Sequence, residues 1–138
     1  MNLQELRIGN YVMQRGETTI VESIRFSLND WQRINGLIYK SCTPIPLTEE
    51  WHNKFGVEKN GFYQFEYELP EKNNFKIRVI FNHEYVTLRQ GGINQKLHED
   101  DLIVIWNKDL TKRDMYVHEW QNLYFALTGQ ELFIKNQE

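Results

Sequence analysis

Tyr63-Gln64-Phe65-Glu66-Tyr67-Glu68-Leu69 and Phe75-Lys76-Ile77-Arg78-Val79-Ile80-Phe81 are the stretches that decide the fold. In the first, Tyr63, Phe65, Tyr67 and Leu69 alternate with Gln64, Glu66 and Glu68; in the second, Phe75, Ile77, Val79 and Phe81 alternate with Lys76, Arg78 and Ile80. Successive side chains of a strand point to opposite faces, so this period marks a ribbon with one apolar face. Pro70-Glu71-Lys72-Asn73-Asn74 between them reads as a hairpin loop. Pairing Leu69 with Phe75 sets Tyr67 opposite Ile77, Phe65 opposite Val79 and Tyr63 opposite Phe81. On the other face Glu68 then meets Lys76 and Glu66 meets Arg78. A slip by one residue sets apolar groups against charges. Burial and opposite-charge pairs, worth about 0.2–1 kcal/mol each, therefore select the same pairing.

Downstream, a third strand follows Asn82-His83, with Val79 facing Val86 and Ile77 facing Leu88, and ends at Gly91-Gly92. Residues 93–100 are polar and read as a loop. Leu102-Ile103-Val104-Ile105-Trp106, within 101–107, is a continuous apolar run with β-branched residues and reads as a buried strand. Thr111 and Asp114 have the spacing of a capping box, and either is placed to cap the main helix. Tyr116, Val117, Trp120, Leu123, Tyr124 and Leu127 then recur at three- and four-residue intervals, which marks one buried helix face. Gly129 closes the helix, and Leu132-Phe133-Ile134 is expected to add a short strand.

Upstream, the pattern is of short strands. Gly9-Asn10 signals a turn before a strand through Tyr11-Val12-Met13, and Arg15-Gly16-Glu17 signals a second turn. Residues 18–26 are rich in β-branched side chains and read as one strand. Asn35-Gly36 is a tight-turn dipeptide, because both residues tolerate positive φ, and predicts a hairpin joining 31–34 to 37–40. Pro44 and Pro46 interrupt regular structure. Thr48 then opens a short helix over 48–55, with Glu49 and Glu50 in its first turn, Trp51 and Phe55 on one face and Gly56 as terminator.

The chain has 138 residues, of which 41% are hydrophobic and 25% charged, an ordinary globular composition that argues against disorder. Residues 1–56 carry six Lys and Arg against six Asp and Glu, which leaves ten against thirteen from the totals of 16 and 19. Neither half supplies the positive field that strong nonspecific nucleic-acid binding needs. Cys42 is alone, so no intrachain disulfide is expected. No apolar run approaches the roughly 20 residues of a membrane span, and Met1–Arg7 lacks a signal-peptide pattern. The expectation is a cytoplasmic protein with no membrane partner.

Three segments carry a family resemblance. They are Leu6-Arg7-Ile8-Gly9-Asn10-Tyr11-Val12; Ile45-Pro46-Leu47-Thr48-Glu49-Glu50-Trp51 with Lys54-Phe55-Gly56; and Val117-His118 with the run from Gln121-Asn122-Leu123-Tyr124-Phe125-Ala126-Leu127-Thr128-Gly129 to Leu132. Together they resemble an uncharacterised family of Bacteroides-type gut bacteria, their prophages and their phages. The resemblance covers both ends around a variable middle. It implies a cytoplasmic or phage-encoded protein and, since the family has no assigned activity, no catalytic residues. One departure stands out: after Trp51, where the family pattern has Leu-Leu, this chain has His52-Asn53.

For chemistry, His118, Gln121 and Asn122 are the candidate binding residues. Their spacing puts them on one side of the last helix. They read either as a polar recognition surface, with His118 able to move a proton, or as a polar rim whose amides bond neighbouring backbone. His98-Glu99-Asp100-Asp101 lacks the ligand spacing of zinc or calcium sites and reads as a solvated acidic loop, so no metal is expected. Glu66 and Glu68 share a face as acid–base carboxylates do, but Lys76 and Arg78 account for both as ion pairs. No base is placed beside Cys42, and Gly91-Gly92 lacks the Lys-Ser/Thr continuation of a phosphate loop, so no cofactor is expected. Arg7, Arg15, Arg25 and Arg33, interleaved with Tyr11, Phe26 and Trp31, are the feature that favours nucleic acid, but Glu5, Glu17, Glu22 and Asp30 balance them.

The expected fold is α+β: one domain over 1–138, with a β-rich lobe at 1–46 and an α+β lobe at 47–138 in which an antiparallel sheet of hairpins packs against the C-terminal helix. The expected function is a non-enzymatic binding or accessory protein of phage or prophage origin, with a protein partner. The alternatives are a nucleic-acid-binding module using the N-terminal lobe and an enzyme built around His118.

Overall fold

The computed structural model describes residues 5–25, 33–38, 42–61, 64–71, 75–92 and 102–135. The class is α+β, with antiparallel sheets, an N-terminal sheet and a C-terminal helix. The chain forms two compact units, one of residues 1–47 with 115–133 and one of residues 48–114 with 134–138.

In the first unit, β1 (Tyr11–Gln14) and β2 (Glu17–Ile20) form a hairpin, and β6 (Cys42–Thr43) pairs with the other edge of β1. Arg15 and Gly16 have φ of 53° and 79°, so the hairpin turns on two left-handed residues as its strand twist requires. A second small sheet joins β3 (Ile24–Arg25), β4 (Arg33–Ile34) and β5 (Leu37–Ile38). Its β4–β5 turn is the expected Asn35-Gly36, with φ of 52° and 77°. The strand expected over 18–26 is broken after Ile20, and the reason is Asn35. Its Oδ1 accepts the N–H groups of Glu22 and Ser23 at 2.6 and 3.1 Å, and its Nδ2 donates to the Ile20 carbonyl at 2.7 Å. A side chain thus takes the groups a continuous ladder would use. Leu6, Val12, Val21, Ile34 and Cys42 form the core beneath, with Ile24 packed on it. Trp31, Phe26 and the outer halves of the expected 31–40 hairpin lie outside the described residues.

The long helix of this unit is α3 (Val117–Thr128). Its cap differs from the expectation. Thr111 ends a separate short helix, α2 (Lys108–Thr111), which is capped by Asn107 and stopped by Lys112 at φ 62°. Neither Thr111 nor Asp114 caps α3; Tyr116 is the N-cap, and the Glu119 carboxylate accepts its N–H at 2.8 Å. Gly129, at φ 73°, closes the helix as expected. The helix packs on β1. Its start is also tied to the segment after β6, where Ile45 accepts from the Val117 N–H at 2.8 Å and Met115 accepts from that of Leu47 at 3.0 Å. The fully buried helix residues are Val117, His118, Trp120 and Gln121, whereas Leu123, Tyr124 and Leu127 are only half-buried. Leu132–Ile134 forms no strand, and the Leu132 carbonyl is taken instead by the Gln121 side chain.

The second unit is built on a four-stranded antiparallel sheet of order β10-β9-β8-β7: β7 (Phe65–Glu68), β8 (Phe75–Phe81), β9 (Tyr85–Gly92) and β10 (Leu102–Asn107). The register preserves the expected faces but sits two residues further along. Phe65 pairs with Phe81, Tyr67 with Val79 and Glu68 with Arg78. The β8–β9 ladder moves by the same amount, with Phe81 opposite Val86 and Val79 opposite Leu88. Asn82 explains that second shift. Its Oδ1 accepts the N–H groups of Glu84 and Tyr85 at 3.0 and 2.7 Å, which closes the turn on His83-Glu84. Tyr63 and the loop 72–74 lie outside the described residues.

The apolar face of the sheet carries Phe65, Tyr67, Leu69, Val79, Phe81, Val86 and Leu88, all buried. α1 (Glu49–Lys54) lies against it, with Trp51 and His52 buried. The helix ends as expected at Gly56, φ 90°, where the Gly56 N–H reaches the Asn53 carbonyl and the Val57 N–H reaches the His52 carbonyl. That pair of bonds is a Schellman closure, which needs the left-handed residue. β10 departs from the buried strand expected. Among the described residues it pairs with β9 alone, at the edge of their sheet, and Ile103 and Val104 are 52% and 49% exposed. Among the described residues, no helix is long and apolar enough to cross a membrane.

Candidate functional site

Residues 7–10 form a turn that lies against α3, and side chains fix it there. Gln121 is completely buried; its Oε1 accepts the Tyr11 N–H at 2.8 Å, and its Nε2 donates to the carbonyls of Gly9 and Leu132 at 3.0 and 2.9 Å. Asn122 donates through Nδ2 to the Glu5 carbonyl at 2.6 Å. Its Oδ1 accepts from Asn10 Nδ2 at 2.9 Å and from Arg7 Nη1 at 3.0 Å. Arg7 also pairs with Glu131 and lies over the Phe125 ring, 4.1 Å from its centre. His118 is fully buried, with Nε2 3.4 Å from a carboxylate oxygen of Glu5.

The structure therefore brings His118, Gln121 and Asn122 together, as their spacing implied, but not at a rim. Gln121 sits at the centre of the buried face and bonds three main-chain groups, the Tyr11 N–H and the Gly9 and Leu132 carbonyls. The amides act as a clamp on the turn before β1. Of the arginines weighed for nucleic acid, Arg7 is engaged as above, and Arg33 donates to the Gly36 carbonyl at 2.9 Å. His98–Asp101 lies outside the described residues. Among the described residues, no group of three or more His, Cys, Asp or Glu is placed to hold a metal ion.

His52, in the second unit, is a buried histidine of a different kind. Its ring stacks on Phe65 with centroids 4.2 Å apart and meets Phe81 edge-on at 4.8 Å. Nδ1 is 2.7 Å from the Tyr67 hydroxyl. Burial among these rings, helped by Lys108 and opposed by Asp114, lowers its pKa from 6.5 to about 4. It is a neutral aromatic plate at pH 7.

The opposite, open face of the same sheet holds a concavity of about 380 Å³. Ile80 and Thr87, paired across β8 and β9, are part of its lining and are 7% and 6% exposed. Gln64 and Glu66 line it from the β7 side and Val104 from β10, with Tyr85 and Arg89 contributed by β9. The charges on this face are unequally matched. Arg78 reaches Glu68 at 2.7 Å and Glu66 at 3.8 Å, and Lys76 reaches Glu71 at 3.8 Å. Arg89 stands directly across the ladder from Arg78. Among the described residues it has no carboxylate partner, and its Nε is buried without a hydrogen bond.

A scan of protein-family models, a search of curated proteins and a search of solved structures each found no match to this chain. The candidate site thus rests on geometry. Sequence reasoning passed over Arg89 because the alternation of β9 was used only to place Val86 and Leu88. The signal was present in Tyr85, Thr87 and Arg89, which share the other face and put a cation beside the cations of β8.

Proposed function

We propose that the protein is a non-enzymatic binding protein whose ligand sits on the open face of the β10-β9-β8-β7 sheet. The observation that carries this reading is the concavity over Ile80 and Thr87, about 380 Å³, a volume within the ordinary range for small-ligand sites. Its lining is mostly polar, with Gln64, Glu66, Asn82, Thr87 and Arg89 set around apolar contact from Ile80 and Val104. The residues singled out as an alternative site, Gln121 and Asn122 beside His118, bond the chain's own backbone and side chains, which supports a structural role for them. The resemblance of the chain's two ends supports placing this binding activity in phage or prophage biology.

The test is an amide-resonance screen of small polar compounds against the full chain and a Thr87→Trp variant, whose indole fills the concavity. Ligands should shift the resonances of Glu66, Ile80, Thr87 and Val104 in the parent and leave the variant unmoved. Ligands that act around residues 118–122 and bind both proteins equally overturn the reading.

A further inference from the structure

We infer that the concavity on the open sheet face takes a small organic carboxylate held by the Arg89 guanidinium, an inference that rests on that face being the binding surface. The charge pattern is the first argument. Lys76 and Arg78 meet carboxylates of the chain itself, whereas Arg89 faces Arg78 across the ladder and meets none among the described residues. Glu66, Glu68 and Glu71 thus serve Lys76 and Arg78, and Arg89 lines the concavity with no carboxylate among the described residues bonded to it.

The second argument is hydrogen bonding. A guanidinium carries five donors in a planar fork that matches two carboxylate oxygens. The Nε atoms of Arg78 and Arg89 are both buried and unbonded, but Arg78 meets two carboxylates whereas the Arg89 guanidinium meets none among the described residues. A carboxylate supplies both the acceptors and the neutralising charge.

The lining narrows the class further. Glu66 lines the same concavity, so a dianion such as phosphate meets about twice the repulsion a monoanion meets. Ile80 and Val104 offer apolar contact to an organic body, and Gln64 and Thr87 offer polar contacts to its substituents. The best-fitting ligand is a monocarboxylate with an apolar portion.

The experiment titrates the full chain with sodium benzoate, benzamide and inorganic phosphate at constant ionic strength, following amide resonances. Benzoate should give saturable shifts at Thr87, Arg89 and Val104. Benzamide, of the same shape without the charge, should bind about tenfold or more weaker, the scale of a lost charge-assisted hydrogen bond. Arg89→Gln should weaken benzoate by a similar factor and leave benzamide unchanged. The comparison of benzoate with benzamide on the parent protein stands even if Arg89→Gln does not fold. Equal binding of the two at the concavity overturns the carboxylate assignment while the binding face survives. Phosphate binding more tightly than benzoate overturns the monoanion assignment. Absence of saturable shifts with any of the three overturns the inference, and the Thr87→Trp screen then decides separately whether the face binds anything.

Discussion

Substituting His52 by Leu should remove most of an acid-induced weakening of the second unit. The folded pKa of His52 lies near 4 and the unfolded value near 6.5. Between them the unfolded chain binds the proton and the folded one does not, so stability falls as pH falls. Its contribution is fully present above about pH 6.5 and is lost progressively toward pH 4. At about 1.36 kcal/mol per pH unit, the whole interval amounts to about 3 kcal/mol. From pH 7.5 to pH 5 the loss is about 2 kcal/mol, because only the unfolded state has taken up its proton by then. With a urea slope of about 2 kcal/mol per molar, that is a midpoint shift of about 1 M. Carboxylates of the same unit titrate too, so the quantity to measure is the difference between parent and His52→Leu. Urea unfolding followed through amide resonances of β7 and β8 at pH 7.5 and 5 provides it. Leucine has no proton to gain, and its midpoint should move by about 1 M less. Parallel pH dependence in the two proteins refutes the reasoning, since it means that protonated His52 is tolerated against Phe65 and Phe81.

Gln121→Leu keeps the volume but strips the Tyr11 N–H and the Gly9 and Leu132 carbonyls of the partner they share. At about 1 kcal/mol or more for each buried group left unmet, the first unit should lose about 3 kcal/mol in denaturant unfolding. Gly56→Ala places a Cβ 2.9 Å from Lys135 Cγ on a residue with φ of 90°. It should destabilise the second unit by about 1–2 kcal/mol, read as a lower thermal midpoint. Asn35→Ala removes three hydrogen bonds and puts alanine at φ 52°. Amide exchange at Glu22 and Ser23 should accelerate by at least about tenfold, since a loss of about 1.4 kcal/mol suffices for that.

Local chemistry was legible where a residue type has few alternatives. Asn35-Gly36, Arg15-Gly16, Gly56 and Gly129 occupy the left-handed positions their turns need. Alternation gave the faces of β7, β8 and β9 but not the offset. A shift of two residues leaves every side chain on its face, so burial cannot choose between the two pairings. Between β8 and β9 the choice was made by Asn82, whose side chain centres the turn on His83-Glu84 rather than one residue earlier. The apolar run of β10 misled because burial was read from composition, whereas an edge strand can carry exposed Ile103 and Val104. On α3 the polar residues misled in the opposite direction. Gln121 is buried because it bonds backbone 110 and 112 residues away in the chain, a demand invisible to a helical periodicity. Of the site, the open-face placement of Glu66 was readable from alternation. The isolation of Arg89 was not, because it depends on which carboxylates reach Lys76 and Arg78 instead.

That isolation distinguishes a binding arginine from a structural one by the sign of a stability change. Directly opposed like charges on a sheet are unfavourable by about 0.2–1 kcal/mol. If Arg89 serves the fold alone, through packing of its aliphatic stem, truncating it should destabilise the sheet at every salt concentration. If it is instead held beside Arg78 in order to meet a ligand's anion, Arg89→Thr should be neutral or stabilising, because threonine suits a strand and relieves the repulsion. The gain should be greatest at low ionic strength and shrink as salt screens the Arg78–Arg89 pair. Benzoate should stabilise the parent and not the variant, since only a ligand that binds the folded state raises its midpoint. Thermal unfolding of the two proteins across a salt series, with and without benzoate, separates these cases. A salt-independent loss of stability in Arg89→Thr, with benzoate acting equally on both, makes Arg89 part of the packing and removes the argument for an anion.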